Sequence, residues 1–99
     1  MIRKRPSPNP GRVLVTFELP SAIWAERVNL VGDFNNWDTT ATPMEQSKDD
    51  SAWRVTLELE AGREYQFRYL VNGTEWHNDW HADEYVPNEY GGDNSVVVT

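Results

Sequence analysis

A two-residue alternation of apolar and polar side chains is the feature that most constrains what this chain can become. Trp53, Val55, Leu57 and Leu59 fall on one face of an extended segment, with Arg54, Thr56, Glu58 and Glu60 on the other. Tyr65, Phe67, Tyr69 and Val71 alternate with Gln66, Arg68 and Leu70. Val13, Val15, Phe17 and Leu19 alternate with Leu14, Thr16 and Glu18, and Pro20 ends that run. Shorter strands are expected over residues 27–31, 74–78 and 94–99, with residues 84–93 as loop. Asn72-Gly73 is a strong hairpin signal, because both residues tolerate positive φ. No segment repeats with a helical period of 3.6 residues. Six or seven short strands separated by turns predict an all-β sandwich.

At 99 residues the chain is one domain at most. Residues 11–99 are expected to form the sandwich. Residues 1–10, with three prolines and the basic run Arg3-Lys4-Arg5, read as a flexible tail or linker. The net charge of −7 supplies no basic footprint for phosphates and disfavours anionic membranes, so neither nucleic acid nor a membrane is an expected partner. The absence of cysteine removes disulfides and thiolate chemistry from consideration. No apolar stretch follows the basic start, so no secretory signal is read and a cytoplasmic location is expected.

Five tryptophans are more than a core this small can hide. Trp53 belongs to an alternating core set. Trp24, beside Ala22 and Ile23, is expected to cover one end of the sandwich, and Trp80 to be structural. Trp37 closes the turn Gly32-Asp33-Phe34-Asn35-Asn36-Trp37, where Phe34 is the expected core anchor. Spacing leaves two roles open to Trp37, a surface platform or a cap over the sandwich. Trp76, among Glu75, His77 and Asn78, is likewise either an outer-face platform or a core residue. Arg68 falls on the outer face of its strand. Tyr90-Gly91-Gly92-Asp93-Asn94 is either a tight turn or a backbone approach to a ligand, with the Asn94 amide suited to sugar hydroxyls.

In order along the chain, residues 28–37 (Val-Asn-Leu-Val-Gly-Asp-Phe-Asn-Asn-Trp), the hairpin 65–73 followed by Trp76, and the last strand 91–98 resemble family 48 carbohydrate-binding modules. That family includes the N-terminal domains of isoamylases and glycogen-branching enzymes and the glycogen-binding domain of the AMP-activated protein kinase β subunit. The resemblance runs from about Arg12 to Thr99. It implies an immunoglobulin-like β-sandwich of about seven antiparallel strands that binds α-1,4-linked glucans without catalysis or cofactor. It also implies glucose stacking on Trp37 and Trp76, and polar contacts from Arg68 and Asn94. Tyr90 takes the place of an inserting leucine. Three departures stand out: Arg68 replaces a lysine, Tyr90 replaces that leucine, and one extra residue precedes Trp76.

Catalysis has weaker support. Asp79, Asp83, Glu84 and Glu89 are candidate carboxylates for glycoside hydrolysis, but a solvated acidic loop accounts for them. The alternating His77, Asp79, His81 and Asp83 could face a metal, but a polar hairpin arm accounts for these as well, and no metal is expected. Besides glucan binding, two other readings remain: a module that docks or regulates a glucan-processing enzyme, and a detached N-terminal domain of such an enzyme.

Overall fold

The computed structural model describes residues 1–20, 25–49 and 52–99. These form nine strands in two antiparallel sheets that pack as an immunoglobulin-like β-sandwich. The first sheet has the order β1-β2-β5-β4, from Ile2–Pro6, Arg12–Pro20, Ala52–Glu60 and Glu45–Gln46. The second has the order β3-β6-β9-β8, from Val28–Gly32, Glu64–Val71, Asp93–Val98 and Glu84–Pro87, and β7 (Glu75–His77) also pairs with β6. The expectation for Trp24 lies outside the described residues.

The alternation read in the sequence becomes the contact between the sheets. Val15, Phe17 and Leu19 of β2 and Trp53 and Leu59 of β5 meet Val28 and Leu30 of β3, Phe67, Tyr69 and Val71 of β6, and Val97 of β9 in one buried cluster. Phe17 and Phe67 pack edge to face across the sandwich, with ring centroids 4.9 Å apart. Phe34, the expected anchor, tilts against Phe17 at 5.5 Å and fixes the turn after β3 to this core.

Both flanks of the sandwich are closed. On one side the chain runs along β3, with Leu30 N–H donating to Thr42 O at 2.9 Å and Met44 N–H to Val28 O at 2.8 Å. It then crosses to pair β4 with β5, placing Met44 in the core. On the other side Lys4 donates to Asp83 at 2.6 Å, and the Met1 amino group reaches the buried Asp79 carboxylate. Tyr69 donates its hydroxyl to Asp79 at 2.6 Å. Burial and the Asp79 charge push that hydroxyl well above the usual tyrosine range.

Three expectations are corrected. Residues 2–6, read as flexible tail, form β1 and pair in register from Ile2↔Phe17 to Pro6↔Val13. An edge strand tolerates both charged side chains and a terminal proline, so the basic run hid a strand. Residues 84–87, read as loop, form β8 against β9. Trp80 is not structural packing: it is 55% exposed. Leu70, placed on the outer face by alternation, is nonetheless buried, because it sits directly opposite Trp76 across the β6–β7 pair.

Candidate functional site

The second sheet carries an open groove of about 820 Å³ on its outer face, within the range of small-molecule sites. Its lining includes all five residues singled out in the sequence: Trp37, Arg68, Trp76, Tyr90 and Asn94. Thr39, Gln66, Asn88 and Glu89 complete it. Three local devices bring these distant segments together.

The first is the turn after β3. Gly32 ends the strand where a Cβ would stand 2.5 Å from Gln66 O and 2.8 Å from Phe67 Cβ, so no larger residue fits without displacing β6. A single 3₁₀ turn, Asp33–Asn35, follows. Asn35 ties it down, donating to Leu30 O at 2.9 Å and to Thr42 Oγ1 at 3.0 Å. Asn36 and Trp37 then both adopt φ 57°. For tryptophan that left-handed backbone costs about 1–2 kcal/mol, and such strain persists only where surrounding contacts enforce it. Those contacts are Trp37 N–H to Gly32 O at 2.9 Å and Trp37 Nε1–H to Asp33 Oδ1, also at 2.9 Å. Trp37 is held half-buried in the groove lining.

The second device is the β6–β7 hairpin. Asn72 and Gly73 take φ 54° and 74°, and Thr74 N–H donates to Val71 O at 3.2 Å. Thr74 stands between the turn and the first ladder pair, Val71↔Glu75. Trp76 lies opposite Leu70 on the outer face and is 40% exposed. Both tryptophans therefore line the outer-face groove, Trp76 exposed and Trp37 half-buried.

The third device is a polar chain beneath the groove. Asn88 accepts from Tyr90 N–H at 2.9 Å and from Gly92 N–H at 3.1 Å, which shapes the loop before β9. Asn88 Nδ2 donates to Asn94 Oδ1 at 3.2 Å, and Asn94 Nδ2 to Gln66 Oε1 at 3.1 Å. Gln66 N–H donates to Asp33 Oδ2 at 2.7 Å, which joins the chain to the Trp37 turn. Asn94 thus spends one donor and one lone pair on the scaffold. Tyr90 stands 88% exposed at the rim.

Sequence reasoning missed Asp33, Gln66 and Asn88 as organisers of this site. Gln66 was within reach, because it shares the outer face with Arg68 two residues away. Asn88 carried no signal, since its role depends on a loop fold that the sequence does not announce. The carboxylates weighed for hydrolysis or metal binding go elsewhere. Asp79 is buried against Tyr69, Asp83 is held by Lys4, and only Glu89 lines the groove. Among the described residues no cluster of three His, Cys, Asp or Glu is arranged to hold a metal ion, and no helix is long and apolar enough to cross a membrane.

A small immunoglobulin-like sandwich with an open, aromatic, hydrogen-bonding groove has the build of a carbohydrate-binding module. The family described as carbohydrate-binding module 48 (isoamylase N-terminal domain) matches residues 15–86, and the chain belongs to that family. Similar curated proteins include the 1,4-alpha-glucan branching enzyme GlgB of Aquifex aeolicus (strain VF5), 42% identical over 57 residues, covering 52% of this chain and 9% of the enzyme. The GlgB of Mesorhizobium japonicum is 38% identical over 53 residues, covering 50% of this chain and 7% of the enzyme. The matched segment is therefore less than a tenth of these enzymes' length.

Proposed function

We propose that this module binds α-1,4-linked glucans of the glycogen or starch type in the groove, without catalysing a reaction on them. The observation that carries this reading is the presence of two indoles, half-buried Trp37 and exposed Trp76, in one groove with side-chain amides. The C–H face of a glucose ring packs flat on an aromatic ring, and indole offers the largest such platform among the side chains. Asn94 and Gln66 would then orient the chain through hydroxyl hydrogen bonds, direct or through water. Tyr90 at the rim would lean on an adjoining glucose unit. Two platforms and a few hydrogen bonds give a Kd of roughly 10 μM to 1 mM, raised in apparent strength by multivalent attachment to a polysaccharide. Titration with β-cyclodextrin should quench tryptophan fluorescence saturably. Loss of that response in both Trp37→Ala and Trp76→Ala supports the reading, and an unresponsive wild-type protein at millimolar sugar overturns it.

A second reading complements the first: the module also docks a glucan-processing enzyme, in cis or in trans. It is favoured by Trp80 and Tyr85, 55% and 47% exposed, which stand outside the groove. Both sit at Asp79, Trp80 as its chain neighbour and Tyr85 by donating its hydroxyl to Asp79 O at 2.5 Å. The likeness to short segments of branching enzymes fits that arrangement. Association with a branching enzyme in solution, lost in Trp80→Ser with glucan binding unchanged, is the expected outcome.

A further inference from the structure

We propose that Arg68 is a positioning residue: its guanidinium braces the Trp76 indole and acts on a bound glucan through that ring. The functional half rests on the glucan-binding reading of the groove; the structural half stands on geometry alone.

Arg68 occupies a break in the sheet. Along one edge of β6, Phe67 is the last residue paired with β9, opposite Ser95, and Tyr69 is the first paired with β7, opposite His77. Arg68 falls between the two ladders, and its register partner is Val31 on the other edge. The guanidinium carbon lies 5.9 Å from the centroid of the Trp76 ring, within cation–π range. Arg68 Nε is buried and has no hydrogen-bond partner among the described residues. A buried, unsatisfied N–H on a charged group is costly and calls for an explanation. A guanidinium this near an indole ring meets π density, which is a weak acceptor and a good counter-surface for charge. Its burial closes Nε to a sugar hydroxyl.

This also gives the arginine a physical reason. A planar guanidinium stacks on a ring, whereas an ammonium presents only a point charge on a flexible stem. Trp76 lies in a strand of 3 residues, and a contact beyond that short ladder helps to hold its ring.

Two-dimensional NMR of the whole chain tests the brace, with the two indole N–H signals assigned through Trp37→Phe and Trp76→Phe. In the sugar-free protein Arg68→Met should shift or broaden the Trp76 signal and leave the Trp37 signal and thermal midpoint in place. Affinity for maltoheptaose should fall roughly two- to thirtyfold, with Arg68→Lys in between. If Arg68→Met does not fold, Arg68→Lys carries the comparison. An unmoved Trp76 signal overturns the proposal whatever the affinity does, because a direct donor would alter affinity alone. If the wild-type protein binds no sugar, the glucan reading falls, and the sugar-free Trp76 signal still decides the brace.

Discussion

Trp37 and Asp33 are locked together: the indole Nε1–H donates to one carboxylate oxygen at 2.9 Å, while the other oxygen accepts Gln66 N–H at 2.7 Å. One side chain thus fixes an aromatic platform to the central strand beside it. Asp33→Asn keeps the shape but turns an amide N–H₂ toward one of the two donors. It should cost about 1 kcal/mol of stability by the worth of a hydrogen bond to a charged group at a partly wet site. It should also weaken maltoheptaose binding several-fold. Chemical denaturation and isothermal titration of the variant check both.

The strain at Trp37 gives a separate expectation. Trp37→Ala and Trp37→Gly both remove the platform and should bind glucan equally poorly. Only glycine relieves the left-handed backbone at φ 57°, so Trp37→Gly should be the more stable of the two by about 1 kcal/mol. Equal denaturation midpoints would mean that the turn carries no strain.

Gly32→Ala is expected to damage the fold and the groove together. A methyl there would stand 2.5 Å from Gln66 O, and backbone does not yield as the end of a flexible side chain does. Overpacking of this kind costs about 1–3 kcal/mol. Because β6 and the Trp37 turn separate at this point, sugar affinity should fall as well. A thermal melt indistinguishable from wild type would contradict the packing.

Acid should loosen the flank between the sheets. Burial raises the pKa of Asp83, but the Lys4 hydrogen bond and charge and the Val98 N–H outweigh it, and the carboxyl titrates below its usual range. A carboxylate with a lowered folded-state pKa stabilises the fold at neutral pH, and that contribution disappears as pH falls through the folded value. Stability should therefore decline below about pH 4, the ordinary aspartate value. Asp83→Asn should be less stable at neutral pH and show a shallower acid slope. Denaturation midpoints from pH 7 to pH 2 measure this directly.

Much of the architecture was legible because period-two patterning is a direct imprint of burial. Phe17, Trp53 and Phe67 announced their faces, and the core uses them so. What stayed hidden was decided by tertiary contact. Arg3-Lys4-Arg5 carries no strand signature, yet its backbone completes a sheet edge. Trp80 and Trp53 look alike as residues, and only topology leaves one in solvent and the other in the core. At the groove, the tryptophans were visible through their turn motifs. Asp33 and Asn88 were not: Asp33 accepts from Gln66 N–H, 33 positions away, and Asn88 acts through a loop fold that no local pattern records.

Titration of isotope-labelled protein with maltoheptaose, following every backbone and indole N–H signal, decides whether the groove binds glucan. The account predicts saturable shifts centred on Trp37, Arg68, Trp76, Tyr90 and Asn94, with a Kd of roughly 10 μM to 1 mM. Shifts confined to the Trp80 and Tyr85 flank, or none at millimolar sugar, would contradict it.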